Sequence, residues 1–586
     1  MRARLTFSSI LALALAAPAA ASAADYYVAK SGSGSVCSAA APCVTIAAAV
    51  TKAADDDTVH VGAGTFTEAI DTTKRLAFVG VGAGTAAGYD AATTTYVVPP
   101  ASPDGQSALT LRGGGSARAM RLKGDDFPFS QPAGGDGLRI QPAAGLAPVT
   151  YDVADVVAIG GVNIVVGAGI RVTSADAPTR PVAVTVSDST LLSANESIVS
   201  SGTSVQTDVR RSVLSGRAFT DVGATVTYDH STLQDGGVSA GRGRTTIDHS
   251  AVVDDYGAAF AYSASGSARL VVRDSILRVL RTGTGAPSSF ATLSAVAGTS
   301  SSAETNVDVI GSTIYGAGPL RAAVLASRSS GAAGSVDVNV VNSIARMSGA
   351  DGTTTADVAT NSDNNLPAAT VAMRNSSFSS VVRLGTPGVV PDPGTGTNVA
   401  GDPLLTAPAA ATPELTLAPG SPLVDRGATD VLLGGETDMA DTPRNVDGNA
   451  DCQAAPDIGA FERPATACPP ATTGGGVAPA GGGGATPGGA TRRPRDTRAP
   501  VLTKLKISHG RVSLRVDEAA KLTVRIQRRK GKAYRTIRTQ ATKAAKAGPV
   551  ALRLSRVPRG RYRVQVVATD AAGNTSKPIS ASYRRA

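Results

Sequence analysis

The sequence predicts an all-β chain, a long parallel β-helix over residues 24–463 followed by a small β-sandwich over 498–586. Three observations lead there. A serine-centred motif recurs along the middle of the chain. The apolar residues around each serine alternate with period two and change parity at one fixed point, which no helical solenoid can satisfy. The final stretch holds seven short alternating runs separated by turn-forming residues.

Taken in order, residues 1–23 read as an export signal. Arg2 and Arg4 precede an apolar run, Leu5 to Ala17, and Ala21-Ser-Ala23 offers a small-x-small cleavage site. The run is shorter than the ~20 apolar residues that a membrane span needs, and no second run follows. The expected location is therefore secreted or associated with the cell envelope. The four cysteines would then meet oxidising conditions. Three pairings exist, and the local ones, Cys37 with Cys43 and Cys452 with Cys468, are favoured because the two pairs lie about 400 residues apart. A zinc site is disfavoured, since none of the four histidines has ligand spacing to a cysteine pair.

At the start of the body, residues 44–54 read as a short amphipathic helix and residues 57–61 as a strand. Such a helix would cover the first coil, whose sheet edge is otherwise open.

The repeat itself centres on Ser189, Ser212, Ser231, Ser250, Ser275, Ser312, Ser343 and Ser376. Successive serines are 19 to 37 residues apart, and the shorter gaps suit one solenoid coil. Three residues before them stand Val186, Val209, Tyr228, Ile247, Val272, Val309, Val340 and Met373. Two residues after them stand Leu191, Leu214, Leu233, Val252, Leu277, Ile314, Ala345 and Phe378. Odd positions are buried before the serine and an even one after it, so the chain turns a corner just before each serine. The residues there, among them Asp188, His230, His249, Asp274, Gly311, Asn342 and Asn375, are mostly turn-tolerant. A strand, a corner and a strand repeated at this period stack as a parallel β-helix with about 4.8 Å between coils. Stacked small aliphatic side chains explain a hydrophobic content of 42% with no Trp and only 4% aromatics.

Residues 464–497 form a Gly/Pro/Thr linker without periodicity. Charge divides sharply on either side of it. The chain carries a formal +10, but residues 24–463 hold 28 Lys+Arg against 42 Asp+Glu, or −14, and residues 498–586 hold 23 against 3, or +20. Strands are expected at 501–507, 511–516, 520–528, 533–539, 548–555, 560–568 and 576–583.

Certain segments resemble known families. The runs from Tyr26, from Cys43 and from Asp57 through Gly62, Gly64, Phe66 and Glu68 look like the opening of secreted bacterial right-handed parallel β-helix proteins of the pectin-lyase-like class. Asp56 departs from that pattern, where Gly is usual. Residues 401–463 resemble the terminal region of choice-of-anchor Q proteins, through Asp402-Pro-Leu404, Pro419 to Pro422, Asp425, Gly427, Pro443-Arg444, Asp447-Gly448 and Asp457 to Glu462. Residues 559–576 resemble the last hairpin of Ig-like and fibronectin-III-like modules, which are spacers or surface binders.

Many proteins of the pectin-lyase-like class are polysaccharide lyases or hydrolases, which need carboxylates on neighbouring coils. Asp229 and Asp248 occupy equivalent positions on adjacent coils, with His230 and His249 beside them and Arg210 and Arg273 on the coils either side. This row reads either as a site for an acidic sugar or as a solvent-facing ladder in which Arg210 neutralises Asp229 and Arg273 neutralises Asp248. Asp125 and Asp126 after Lys123 read as calcium ligands or as a plain loop, and Asp363-Asn-Asn365 as a turn or a cation site. No cofactor is implied, calcium entering only with the lyase reading. Without Trp, sugar-stacking platforms reduce to Tyr and Phe, such as Tyr256, Phe260 and Tyr262. In the basic tail, Arg525, Arg528, Arg529, Lys530 and Lys532 form a cationic hairpin. Its expected partners are an anionic cell-wall polymer or polysaccharide, or the acidic body of the same chain, and not nucleic acid. The leading expectation is a secreted, non-catalytic surface or glycan-interacting protein, with an acidic-polysaccharide lyase or hydrolase as the alternative.

Overall fold

A computed structural model describes residues 23–464 and 500–585, apart from 103–104, 127–134, 144–147, 162–166, 175–180, 282–289, 299, 329–333, 363–368, 386–387, 409–414, 433–434, 509–510, 517–519, 531–532, 545–547, 554–559 and 571–575. The export-signal segment 1–22, Asp363-Asn-Asn365, Cys468, Lys532 and nearly all of the linker fall outside the described residues. The chain divides into two compact units, Met1–Thr472 and Thr473–Ala586.

The first unit is a parallel β-helix, as expected. Its strands form a 32-stranded sheet whose named pairings are all parallel. The predicted repeat alignment is the observed register. Val186, Val209, Tyr228, Ile247, Val272, Val309, Val340 and Met373 face one another coil by coil. So do Leu191, Leu214, Leu233, Val252, Leu277, Ile314 and Ala345. Both columns are buried and line one continuous aliphatic core.

The invariance of the serine has a hydrogen-bonding cause. At a corner the backbone leaves the strand ladder, and its amide would be orphaned inside the protein. The Ser189, Ser212, Ser231, Ser250, Ser275, Ser312 and Ser343 amides each donate to the hydroxyl of the next serine in the series, at 3.0–3.3 Å. Each hydroxyl in turn donates to the carbonyl two residues earlier in its own coil, at 2.5–3.0 Å. Val156 donates to Ser189 Oγ at one end, and Asn398 Oδ1 accepts from Ser376 at the other. The residue before each serine has φ between 45° and 56°, the left-handed region that Asp, Asn, His and Gly tolerate best.

The first coil is covered as predicted, by a helix spanning Ile46–Lys52, shorter than 44–54, with Ile46 and Ala49 buried. Seven residues are too few to hold a helix alone, and side chains secure both ends. Thr45 Oγ1 caps Ala48 N, and the Glu68 carboxylate accepts from Ile46 N and Ala47 N at 3.0 and 2.9 Å. Lys74 Nζ reaches the carbonyls of Val50, Thr51 and Ala53 at 2.6–3.0 Å. The departure at Asp56 also has a reason. Its φ is 72°, a glycine-favouring value, and its carboxylate pairs with Arg75.

The second unit is an antiparallel β-sandwich. One sheet contains Leu502–Ser508, Arg511–Val516 and Gly548–Arg553, and the other Ala533–Ala544, Ala520–Lys530, Gly560–Asp570 and Ile579–Arg585. Leu502, Val512, Leu514 and Val516 of the first pack with Leu522, Val524, Val564 and Val566 of the second.

Candidate functional site

The β-helix register sets Arg210, Asp229, Asp248 and Arg273 in one outward-facing row on four successive coils. The salt-ladder reading of this row does not match its contacts. The proposed pairs Arg210–Asp229 and Asp248–Arg273 are replaced by others: Arg210 approaches Asp208 at 4.0 Å, and Arg273 bonds Glu436, far along the chain. Each aspartate accepts from the histidine that follows it, Asp229 from His230 Nδ1 at 2.6 Å and Asp248 from His249 Nδ1 at 2.9 Å. The corner geometry stacks the two imidazoles almost parallel, with centroids 4.9 Å apart.

The far nitrogen of each ring meets the segment 426–462, which returns over the corner row. His230 Nε2 is 3.1 Å from Asp441 Oδ1, and His249 Nε2 is 3.1 Å from the Thr437 carbonyl and 3.0 Å from its hydroxyl. A carbonyl only accepts, so the Thr437 carbonyl favours a proton on Nε2 in addition to the one that Nδ1 gives to Asp248. The hydrogen bond that His249 donates to Asp248, outweighing burial, pushes its pKa up to about 9. Burial opposes charge on His230, yet Asp441 and Asp229 together raise its pKa above the ordinary value.

The same segment continues along the corners. The Arg444 guanidinium is buried and bonds Asp274 at 2.6 and 2.8 Å, Glu462 at 2.9 Å and the Gly459 carbonyl at 2.8 Å, and also reaches the Gly311 carbonyl. Burial pushes Asp274 up to about 7 and Glu462 up to about 8, although Arg444 pulls both down. Asn342 exchanges hydrogen bonds with Ala428 at 2.7 and 2.8 Å, and Asn375 donates to the Arg426 carbonyl at 3.0 Å. Sequence reasoning missed this role of Glu436, Thr437, Asp441, Arg444 and Glu462. Arg444 and Glu462 lay within the motifs that carried the resemblance of 401–463, and an arginine and an acid in an otherwise loop-like, Gly/Pro-rich stretch were the available signal.

Ligand-type atoms of Asp229, His230 and His249, and of Asp248, His249 and Asp274, lie within 4.8 Å of one another. The same ring nitrogens lie within hydrogen-bond distance of Asp229, Asp248, Asp441 and Thr437, so a cation there would exchange those hydrogen bonds, and the ring protons in them, for ligation.

Asp125 is buried and accepts from Ser102 N at 2.7 Å, while the exposed Asp126 pairs with Lys123. The two carboxylates therefore serve different local partners. Of the aromatics, Tyr256 stands apart under Arg281, 5.1 Å from its ring, whereas Phe260 and Tyr262 lie side by side, centroids 6.0 Å apart and planes within 15°. They border an open cleft of about 360 Å³ on the outer surface. In the sandwich, Arg525 and Arg528 are exposed on Ala520–Lys530, the strand that also holds Arg529 and Lys530. A register shift between Ile526 and Gln527 turns Gln527 inward, where it accepts from Arg563 at 2.8 Å. No described helix is long and apolar enough to cross a membrane.

This geometry defines a parallel β-helix whose last residues strap down its own corner row. No protein-family profile matches the chain, and no curated protein matches it. Among solved structures, the crystal structure of pectate lyase Pel9A is similar at a TM-score of 0.33 and 14% sequence identity, over 76% of this chain and 97% of that one. The fold described here rests on the strand pairing of the chain itself.

Proposed function

We propose that this chain is an exported, non-catalytic β-helix protein that presents a glycan-contacting surface, and that its basic sandwich holds it to an anionic envelope polymer. One observation carries the non-catalytic reading. The carboxylate–imidazole row, the acid/base candidate that the repeat pattern singles out, has its ring nitrogens committed to Asp229, Asp248, Asp441 and Thr437. A general acid or base must reach its substrate within hydrogen-bond distance, and here the strap stands in that position. The Cys37–Cys43 disulfide supports export to an oxidising compartment. The +20 balance of residues 498–586 supports attraction to an anionic polymer.

The test is to incubate the full chain with polygalacturonate, alginate and xylan in the presence of calcium and to follow unsaturated products and reducing ends. No release is expected. Release abolished by joint Asp229→Ala and Asp248→Ala substitution would establish a lyase or hydrolase instead. Attachment is tested by co-sedimentation with purified cell envelopes. Retention should fall with salt and with Arg525→Glu plus Arg528→Glu, and unchanged retention would refute this role for the sandwich.

A further inference from the structure

The cleft beside Phe260 and Tyr262 is built from three consecutive coils. Phe219, Ser239 and Phe260 are register partners on adjacent strands. The middle coil contributes only small residues to the floor, Ser239 and, two positions on, Gly241. Phe219 and Asp221 rise on one side, and Phe260 and Tyr262 on the other. Two coil steps separate the aromatic rows by about 9.6 Å, room for one saturated ring in contact with both at ordinary carbon–carbon distances. Gly241 keeps this floor low, since a Cβ there would lie 3.1 Å from Asp221 Oδ1 and 3.0 Å from the Thr220 carbonyl.

The charged groups at the rim are already matched. Arg242 makes two bonds to Asp221, both 3.2 Å. Arg217 lies over the Phe219 ring at 5.2 Å and bonds Glu196 at 2.7 Å. The cleft thus offers aromatic surface and paired polar atoms without net cationic charge. A carboxylate brought here would meet Asp221 and Glu196 as well as their arginines. A neutral pyranose has an apolar C–H face for the rings and hydroxyls that both donate and accept, which suits paired carboxylates and guanidinium groups. Because the cleft is open along the surface, it suits an internal unit of a polymer.

We propose that this cleft binds a neutral pyranose unit of a polysaccharide, stacked on Phe260 and Tyr262 over the Ser239–Gly241 floor. The proposal rests on the glycan-contacting reading above and narrows it to one place and one sugar class.

The test is electrophoresis of the full chain through native gels containing galactomannan, xyloglucan, β-glucan or polygalacturonate, in about 0.5 M salt so that the basic sandwich contributes little. At least one neutral polysaccharide should retard the protein more than polygalacturonate does. Phe260→Ala with Tyr262→Ala should weaken that retardation about tenfold or more in apparent Kd, and Ser239→Trp should abolish it by filling the floor. Asp221→Asn should leave Arg242 unneutralised and increase retardation by polygalacturonate. Unchanged thermal melting of these surface variants separates lost binding from lost folding. Neutral-glycan retardation that survives both the double variant and Ser239→Trp would overturn the site and leave the wider reading standing. Retardation by polygalacturonate alone, lost in the double variant, would overturn the sugar class. No retardation in any gel would overturn the glycan-contacting reading together with this site.

Discussion

Two stretches of the same corner differ only in what lies above them. Asp188 and Arg211 occupy it at φ 51° and 45°, and bond each other twice at 2.7 Å with their side chains 51% and 58% exposed. His230, His249, Asp274, Asn342 and Asn375 occupy the same backbone position, and each meets the returning segment. Backbone conformation is constant along the column, so the difference in energetic weight comes from the side chains, the partners they meet and how deeply those contacts are buried. In the open stretch a charge pair competes with water and ions and contributes little. Under the strap, Arg444 and Asp274 are 2% and 1% exposed, and removing either partner strands a charge in a dry site.

The comparison breaks most decisively at Arg444. Arg444→Met should destabilise the β-helix unit by about 3–5 kcal/mol, read by denaturant unfolding, and should make residues 426–462 susceptible to limited proteolysis. Intact resistance to protease would mean that the strap is held elsewhere. A smaller loss should follow when the ladder beneath the corner is cut. Ser275→Ala leaves the Ser250 amide without its acceptor and should cost about 1–3 kcal/mol, in the core rather than in the strap. The histidine pair gives the comparison a pH dependence. His249 titrates near 6.5 when unfolded and is pushed up to about 9 in the fold, so the folded chain holds an extra proton between those values. Its stabilisation is complete below pH ~6.5 and is lost as pH rises through about 9. With solvent screening, that loss should be about 1–2 kcal/mol, and His249→Gln should flatten the profile. Least of all should happen in the open stretch. Arg211→Ala should change stability by no more than about 0.5 kcal/mol, and a loss comparable to that of Arg444→Met would abolish the distinction.

Much of the fold was legible because stacked coils make it periodic. The positions seven, five and three before each serine and two after it point inward, and that alternation fixed both the coil and its register, including the neighbouring rungs of Asp229 and Asp248. The sandwich was legible for the same reason, since Leu522, Val524 and Ile526 alternate with outward residues. The candidate row was placed correctly but its partners were misjudged. Periodicity reports what lies one coil away. It carries no information about His230 meeting Asp441, 211 residues later, across a segment without regular pattern. The aromatic cleft was half legible. Phe260 and Tyr262 stood out, but their counterpart Phe219 lies two coils back and shows only once the register is known.

The strap also acts as a ruler. The serine ladder would accept another 19-residue coil anywhere, because each rung asks only for a hydroxyl from the next. The segment 426–462 does not share that freedom, for its contacts from Arg426 to Asp441 are spaced to reach Asn375 back to His230. A coil duplicated before His230 would lengthen the solenoid and leave every strap contact in register. A coil duplicated between His230 and Asn375 would move the corners one rung out of step with Thr437, Arg444 and Ala428. Growth of this solenoid is therefore confined to its N-terminal half, and its C-terminal half has a measured length.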